Sequence, residues 1–320
     1  MAEQGIIPKR LKDIYITACL ACHYAKATKR PWRNKKLKSF KQPNLPTRPG
    51  RVVSVDQLVS PTPGLIAQMT GILTTKRYKY ATVFVNQYPR LSYLFLQKTA
   101  TVEETLTAKQ AFELFASSHG VQILNYHADN GVFRASNWIK ACQSDPNPQG
   151  MTFDGVKDHH TSGLVERRIR DIQDNGCAMM IHATHKWKTH TTINLWPYAL
   201  RLANQAYNNT PPLGRAEGKT PTQLFTSTEV DNNPKHWHPF GCPAYLLTPQ
   251  VRSGACIQHK WKQRSELGIY LGTSPVTNRF SQPTIPCLLQ SIIYNGSRSH
   301  KMIPLAITSW VCLRHTDVSP

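Results

Sequence analysis

Three acidic residues of this 320-residue chain stand where a carboxylate could bind a metal ion. Asp56 interrupts an apolar run from Val52 to Val59, where a buried carboxylate costs free energy unless a cation or a hydrogen bond compensates. Asp129 follows a short apolar run and precedes the turn signal Asn130-Gly131. Glu166 falls in the first turn of an amphipathic helix. Each acid taken alone is more simply explained as a turn cap or a salt-bridge partner.

Taken together, the three acids could converge at the open edge of an α/β sheet, where sites tend to form. Carboxylate oxygens with open positions between them suit Mg²⁺ or Mn²⁺, which retain waters and accept the phosphate oxygens of a substrate. Two such ions about 3.5–4 Å apart would serve phosphodiester chemistry, because one activates the attacking water or 3′-hydroxyl and the other stabilises the leaving oxygen. We therefore interpret the set as a candidate metal site.

The elements that would position these acids form an alternating α/β pattern between residues 51 and 208. The pattern predicts strands at 52–59, 78–85 and 91–97, a helix at 101–118, a strand at 121–126, a helix at 135–142, a strand at 151–153, and closing helices at 162–184 and 192–209. Short turns between the first strands predict antiparallel pairing, and the strand–helix–strand segments predict parallel pairing. The expected fold is a mixed five-stranded sheet flanked by helices.

The stretch from His159 to Gln173 links the third acid to a basic helix. Its apolar residues recur at helical spacing, and three arginines follow Glu166 on the remaining faces. A pair between Glu166 and Arg170 at i,i+4 would contribute only about 0.2–0.5 kcal/mol. The stretch alone therefore also fits an ordinary amphipathic helix with a solvated basic face.

The charge balance indicates a polyanionic partner. The chain has 39 Lys and Arg residues against 18 Asp and Glu residues, a formal charge of +21, and nucleic acid is the commonest polyanion for such a protein. A membrane surface is the competitor, but no apolar run approaches the roughly 18 residues of a spanning helix. The eight cysteines are scattered and do not resemble a disulfide framework, so we expect an intracellular protein.

The N-terminal region carries one close cysteine pair, Cys19 and Cys22, followed by a dense run of lysines and arginines and a proline-rich linker. This C-x-x-C spacing suits two thiolates on one zinc ion, but a structural zinc site needs four ligands. His23 is adjacent to Cys22 and is not spaced like a second ligand pair. Half of a zinc site and a reduced pair without function both remain open.

Six segments of the chain resemble a known family. R-V-V-S-V-D-Q-L, Y-H-A-D-N-G-V-F and H-H-T-S-G-L-V-E-R-R-I-R-D-I-Q are similar to the DDE integrase core of retroviruses and LTR retrotransposons. The third segment, together with W-P-Y-A-L-R-L-A-N-Q-A-Y-N-N-T-P, E-G-K-T-P and F-G-C-P-A-Y, resembles the copia-type retrotransposon polyproteins in particular. The resemblance runs from about Cys19 to Pro275. It implies an RNase H-like core whose metal-binding, catalytic acids are Asp56, Asp129 and Glu166.

The resemblance also implies DNA as the partner, Mg²⁺ or Mn²⁺ as the cofactor, a homo-oligomer, and a nuclear location for an active integrase. Candidate nucleic-acid contacts near the acids are Lys157, His159, His160, Arg167, Arg168, Arg170 and Lys186. Their contacts with phosphate would be salt-dependent and largely blind to sequence. Solvated turn histidines and a solvated basic helix face are the alternatives. The family's zinc module is His-His-Cys-Cys, and only Cys19 and Cys22 match it here, so zinc binding is expected to be partial.

These patterns divide the chain into four regions: a basic arm at 1–48, an integrase core at 49–228, a basic β-containing region at 229–275, and an unpatterned tail at 276–320 that suggests a shifted reading frame. The predicted activity is metal-dependent polynucleotidyl transfer in DNA integration. Two alternatives share the fold: a catalytically inactive nucleic-acid-binding remnant of a decayed element, and an RNase H-type nuclease. The nuclease would usually need a fourth acid near the third, and Asp158 is a poor candidate.

Overall fold

The computed structural model describes residues 18–28, 46–66, 75–144, 147–153, 163–188, 191–212, 218–229, 237–248, 251, 261, 263–273 and 286–289. Lys157, His159, His160 and all of the tail 276–320 except 286–289 lie outside the described residues.

Five strands form the central sheet: β1 Val53–Gly64, β2 Tyr78–Asn86, β3 Ser92–Gln97, β4 Asn125–Ala128 and β5 Gly150–Phe153. Their order across the sheet is β3-β2-β1-β4-β5. β2 pairs antiparallel with both β1 and β3, whereas β4 lies parallel to both β1 and β5. The predicted mixed five-stranded sheet is confirmed, and its strand order and directions are those of an RNase H-like core.

Helices flank this sheet: α1 Leu20–Ala25, α2 Val102–Ser118, α3 Ser136–Gln143, α4 Gly163–Lys186, α5 Trp196–Asn208 and α6 Pro221–Thr226. The side chain of Thr101 accepts a hydrogen bond from the Glu104 N–H (3.4 Å) and so caps the start of α2. Pro197 occupies the first turn of α5, where a missing N–H is tolerated. A 3₁₀ turn, Ile193–Leu195, precedes α5 where the sequence predicted the start of the helix itself.

Two strands differ from their predicted ranges for local reasons. β1 runs on to Gly64 past the predicted end at Val59, with a register shift before it pairs again at Gly64 and Tyr78. Pro61 and Pro63, which have no N–H to donate, fit this unpaired stretch. β4 begins later than the predicted strand at 121–126, because Val121 donates its N–H to the Ala116 carbonyl (2.9 Å) and still belongs to the end of α2.

The two faces of the sheet bury separate cores. Val53, Val55 and Phe84 pack with Phe112 of α2 and Trp138 of α3 on one face. Leu58, Val83 and Val85 pack with Val165, Ile172 and Leu200 of α4 and α5 on the other. Since side chains alternate along a strand, Asp56 lies on the same face of β1 as Leu58, which is the face covered by α4.

Gly176 allows α4 and α5 to approach closely. A Cβ atom added at Gly176 would lie 3.3 Å from Cδ2 and 3.5 Å from the backbone nitrogen of Leu200. Glycine is about 1 kcal/mol less favourable than alanine inside a helix. At this position that cost is offset by the close packing of α4 and α5.

Two asparagines of α5 fix that helix to β3. Asn208 accepts a hydrogen bond from the Ser92 N–H (3.0 Å) and donates one to the Ser92 carbonyl (2.7 Å). Asn204, one turn earlier, also donates to the Ser92 carbonyl (3.0 Å) and accepts from the Ser92 hydroxyl (2.5 Å). Two of the three asparagines in the family-like segment 196–211 are thus explained by the docking of α5.

A second sheet follows the core, in the order β6 Pro243–Leu247, β7 Ser265–Thr273 and β8 Pro286–Leu289. Phe240, Tyr270 and Leu271 bury their side chains against α4 and α5, in a cluster with Ala183 and Leu202. Gly241 has a φ of +77°, and a Cβ atom there would lie 2.7 Å from the Cβ of Ala183. The second sheet therefore packs directly on α4 and α5. β8 lies in the part of the sequence where no element was predicted.

No helix in the described ranges combines the length and the apolar composition needed to cross a membrane.

We expect Asn208→Ala to lower the free energy of unfolding by about 1–3 kcal/mol, because the buried Ser92 N–H would lose its acceptor. Urea denaturation followed by circular dichroism measures this change. Asn137 of α3 is exposed, so Asn137→Ala is the matched control and should change stability by less than about 0.5 kcal/mol. Equal stability of the two variants would contradict the role assigned to Asn208.

Candidate metal site and nucleic-acid surface

The pairing of β1 with β4 brings two of the three predicted acids together. The parallel register aligns Val53 with Tyr126, Ser54 with His127, and Val55 with Ala128. The next residues on the two strands are Asp56 and Asp129, and neighbouring strands lie about 4.8 Å apart. β4 ends at Ala128 while β1 continues, so Asp129 stands at the carboxyl end of its strand beside the middle of β1.

Each of these aspartates is oriented by the backbone of the residue that follows it. One carboxylate oxygen of Asp56 accepts a hydrogen bond from the Gln57 N–H (2.7 Å), and one of Asp129 accepts from the Asn130 N–H (2.6 Å). Asp56 is half-buried and Asp129 is exposed. An ionised carboxylate has about four lone-pair positions, so one backbone bond leaves acceptor capacity for a cation.

Glu166 lies in the first turn of α4 and its side chain is exposed. It precedes Gln173 by two helical turns on the same face of the helix. Gln173, Cys177 and Met180 line a cavity of about 590 Å³ whose opposite wall is β1 from Leu58 to Thr62. The face of α4 that carries Glu166 therefore runs alongside β1, on the side of the sheet where Asp56 lies.

The structure stops short of assembling a ligand set. In the described ranges, no group of three or more His, Cys, Asp and Glu side chains is close enough together to hold a metal ion. The two aspartates follow paired positions of neighbouring strands, and Glu166 is on helix α4, but the three carboxylates do not form a group. Hard carboxylate donors at adjacent strand positions fit Mg²⁺ or Mn²⁺ in chemistry.

The residues of α4 that were predicted to contact phosphate differ in their exposure to solvent. Arg167, Arg170 and Lys186 are exposed on α4. Arg168 is wrongly grouped with them, because it is 5% exposed and its guanidinium carbon lies 3.2 Å from the centroid of the Tyr207 ring on α5. Burial lowers the pKa of Arg168, an effect that Tyr207 and then Asp171 oppose. Arg168 therefore stabilises the contact between α4 and α5 by a cation–π interaction and does not face a ligand.

His127, two residues before Asp129, is held on the sheet by a contact with the next strand. It is 8% exposed, and its Nδ1 atom lies 2.9 Å from the hydroxyl of Thr152 on the neighbouring strand β5.

Sequence reasoning overlooked Lys188 and Tyr245, which share a groove with Lys186. The short apolar run from Ala244 to Leu247, with an aromatic residue in it, is the signal that could have drawn attention to Tyr245 as part of a strand.

The cysteine pair forms the start of α1, which packs against α4. Cys19 caps this short helix, since its sulfur accepts a hydrogen bond from the Cys22 N–H (3.2 Å). Bonding from the Cys22 side chain, and then from the Cys22 backbone, lowers the pKa of the Cys19 thiol; the same side-chain bond raises the pKa of Cys22. No further zinc ligands join the pair among the described residues.

The chain is similar to two curated proteins of Arabidopsis thaliana. It is 28% identical over 260 residues to the retrovirus-related Pol polyprotein from transposon RE1, which covers 80% of this chain and 15% of that protein. It is 26% identical over 269 residues to the corresponding polyprotein from transposon RE2, covering 81% of this chain and again 15% of that protein. The chain thus spans about one seventh of the length of these relatives. No family model matches it.

Solved structures with a similar fold are retroviral integrases. The magnesium-bound HTLV-2 integrase catalytic core domain, in its trimeric form, has a TM-score of 0.38 and 18% identity over 56% of this chain and 97% of that one. The BIV integrase catalytic core has a TM-score of 0.37 and 17% identity over 56% and 95% of the two chains. The simian T-cell lymphotropic virus intasome, in complex with PP2A regulatory subunit B56 gamma, gives 0.40 and 17% over 79% and 85%.

The resemblance stated from the sequence motifs is confirmed. The homologues of this chain are retrovirus-related Pol polyproteins of plant transposons, and its structural neighbours are retroviral integrases.

We expect Cys19 to be alkylated faster than Cys22 by iodoacetamide at pH 7.5, because the thiolate is the nucleophile and the pKa of Cys19 is the lower of the two. Peptide mapping by mass spectrometry at short times measures both rates. The half-maximal rate of Cys19 should also occur at a lower pH than that of Cys22, and faster modification of Cys22 would contradict this. Repeating the reaction with Zn²⁺ tests the partial zinc site, since a bound ion would protect both thiols.

Proposed function

We propose that this chain, a relative of retrovirus-related transposon polyproteins, catalyses the joining of element DNA to target DNA by divalent-metal-dependent strand transfer. The observation that carries the proposal is the position of Asp56 beside Asp129 at the carboxyl end of β4. Two adjacent carboxylates destabilise the fold, because like charges repel. The same pair of negative charges suits a bound cation. Glu166 on the covering helix α4 is the third ligand in this proposal.

Strand transfer exchanges one phosphodiester bond for another. The 3′-oxygen of the element DNA bonds to a phosphorus of the target, and the bond between that phosphorus and its own 3′-oxygen breaks. The attacking hydroxyl loses a proton and the leaving oxygen gains one, so no oxidant, reductant or nucleotide cofactor is consumed. A bound divalent metal would activate the attacking hydroxyl and stabilise charge on the leaving oxygen.

The contribution of the chain's own residues is to hold and to orient. The Gln57 and Asn130 N–H groups each fix one oxygen of an aspartate, which limits how far the two carboxylates can rotate. Because the three carboxylates do not form a group and Glu166 is exposed, we infer that Glu166 joins the aspartates when DNA and metal bind. The protein acts as a homo-oligomer in this proposal, with one DNA end at each active site.

Phosphate contacts along α4 would hold the DNA. Arg167, Arg170 and Lys186 project from the helix into solvent, and α4 extends for about 35 Å at roughly 1.5 Å per residue. Such contacts position the nucleic acid without reading its sequence.

The second candidate is a catalytically inactive nucleic-acid-binding remnant. The observation that favours it is the lack of a three-residue metal-ligand group among the described residues. Both candidates bind DNA, so only chemistry separates them.

We expect the full chain to transfer a labelled DNA 3′-end into a target duplex in the presence of Mg²⁺ or Mn²⁺. Asp129→Asn should reduce this activity at least about a hundredfold, since metal binding contributes several kcal/mol to such reactions and about 1.4 kcal/mol is tenfold in rate. The amide oxygen of the substituted side chain can still accept the Asn130 N–H bond, so the fold should be kept. Gel analysis of the joined product measures the activity.

Asp174→Asn is the matched control for that assay, because Asp174 lies on α4 outside the proposed site and should retain activity. A folded wild-type chain that binds DNA but joins none, with either metal, would favour the inactive remnant. Cleavage of RNA in an RNA–DNA hybrid without strand transfer would favour an RNase H-type nuclease.

A separate comparison tests the phosphate contacts of α4. Arg170→Met should weaken duplex binding and make the slope of log K against log salt concentration shallower by about 0.9, the effect of losing one phosphate contact. Arg168→Met is the matched control, because Arg168 is buried over Tyr207 and should leave the slope unchanged. Fluorescence anisotropy across a salt series gives both slopes. A change with Arg168→Met as large as with Arg170→Met would show that the burial of Arg168 does not hold in solution.

A further inference from the structure

A groove of about 420 Å³ lies at the C-terminal end of α4, far from the three acids. One wall is the end of the helix, with His185, Lys186 and Lys188. The other wall is the hairpin of β6 and β7, with Tyr245 and Leu267. None of the residues that line this groove, in the described part of the chain, is acidic.

The hairpin presents an apolar, partly aromatic face to this groove. The antiparallel register places Tyr245 opposite Leu267, and Leu247 opposite Ser265 on the same face. Tyr245 is 59% exposed, Leu247 is 42% exposed and Leu267 is 41% exposed. These side chains are therefore not used by the core, which is formed instead by neighbours such as Tyr270 and Leu271.

Cations border this apolar face. His185, Lys186 and Lys188 are all exposed, and they close the side of the groove that α4 provides. A lysine in the last turn of a helix interacts favourably with the negative end of the helix dipole. This interaction explains the position of Lys186 but not that of Lys188, which lies beyond the end of α4. A ring with aliphatic neighbours, next to two lysines and no carboxylate, matches the chemistry of a nucleotide: a flat base and a negative phosphate.

We propose that this groove binds an unpaired stretch of nucleic acid, with a base stacked on Tyr245 and the phosphates held by Lys186 and Lys188. In a duplex the bases stack on each other and offer the ring no face, whereas unpaired bases stack on aromatic side chains regardless of sequence. The formal charge of +21 favours a polyanion as the partner. The exposed ring of Tyr245 favours nucleic acid over an acidic peptide, because only the nucleic acid has bases that stack on it. This inference deepens the proposed function, and it rests on nucleic-acid binding without requiring strand transfer.

The distance between Glu166 and the groove corresponds to a length of duplex DNA. Lys186 follows Glu166 by 20 positions on α4, which is about 30 Å along the helix. Duplex DNA rises about 3.4 Å per base pair along each strand, so about nine base pairs span the same distance. If the duplex follows α4, an unpaired flank that begins about nine base pairs from the reacting end would lie level with the groove.

Fluorescence anisotropy with the full chain tests the proposal. The probes are a labelled 20-nucleotide oligothymidylate, the matching oligouridylate and a blunt 20-base-pair duplex. Tyr245→Ala should weaken single-strand binding at least about fivefold, as expected for the loss of one base-stacking contact, and leave duplex binding unchanged. Tyr245→Phe keeps the ring and should bind like the wild type. The DNA and RNA probes distinguish the two sources of an unpaired strand.

Two controls keep the result interpretable. Tyr24→Ala removes another exposed tyrosine, 63% exposed on α1, and should not change single-strand binding. Because Tyr245 is exposed, Tyr245→Ala should unfold at the same temperature as the wild type, which circular dichroism checks. Equal single-strand affinity of Tyr245→Ala and the wild type would overturn the proposal. Tyr245-dependent binding of an oligoglutamate peptide, with none of oligothymidylate or oligouridylate, would also overturn it and identify an acidic protein as the partner.

The same assays separate failure of this inference from failure of the proposed function. Asp129→Asn should abolish strand transfer and keep Tyr245-dependent binding. A wild-type chain that transfers no strand but binds oligothymidylate through Tyr245 would contradict the catalytic proposal alone. The opposite result is strand transfer by the wild-type chain together with equal oligothymidylate binding by the wild type and Tyr245→Ala. It would contradict the groove proposal alone.

Discussion

The parallel pairing of β1 with β4 is the constraint on which the candidate site depends. Val53, Val55, Tyr126 and Ala128 are at most 1% exposed, so both strands are held in register by the core they share with α2 and α3. A slip of one residue would turn each of these side chains to the opposite face of the sheet. The neighbouring positions of Asp56 and Asp129 are thus a consequence of apolar packing one residue away. The core stabilises an arrangement of two carboxylates that would not be stable on its own.

The helix α4 connects the other parts of the molecule to this pair. Its inward face packs on the sheet through Val165 and Ile172, its first turn carries Glu166, and its last turn carries Lys186. Gly176 brings it close to α5, and α5 in turn is fixed to β3 through Ser92. Because the helix is packed on both the core sheet and the second sheet, the distance between its two ends is set by the fold. A nucleic acid that contacts both ends would have to match that length.

The sequence predicted most of the elements and their pairing, because local signals specify them. The short turn between β2 and β3 favoured antiparallel pairing, and the helix between β3 and β4 allowed the change of direction. The sequence could not predict features that depend on distant partners. Arg168 looked equivalent to Arg167 and Arg170 on the helix, and only Tyr207, on another helix, explains why it is buried. The late start of β4 similarly depends on the end of α2, where the Ala116 carbonyl accepts a hydrogen bond from the Val121 N–H.

The net charge indicates the class of partner but overstates the number of contacts. Of the 39 lysines and arginines, Arg168 is used inside the fold, and so is Lys109, which is 3% exposed and pairs with Glu113 at 2.8 Å. Glu113 also accepts hydrogen bonds from Tyr126 and Gln149, so this pair belongs to an internal hydrogen-bond network. Breaking such a pair would leave a buried charge uncompensated, which costs about 3–5 kcal/mol. A phosphate contact must therefore be assigned from exposure as well as charge, and by this criterion Arg170 and Lys188 qualify while Arg168 and Lys109 do not.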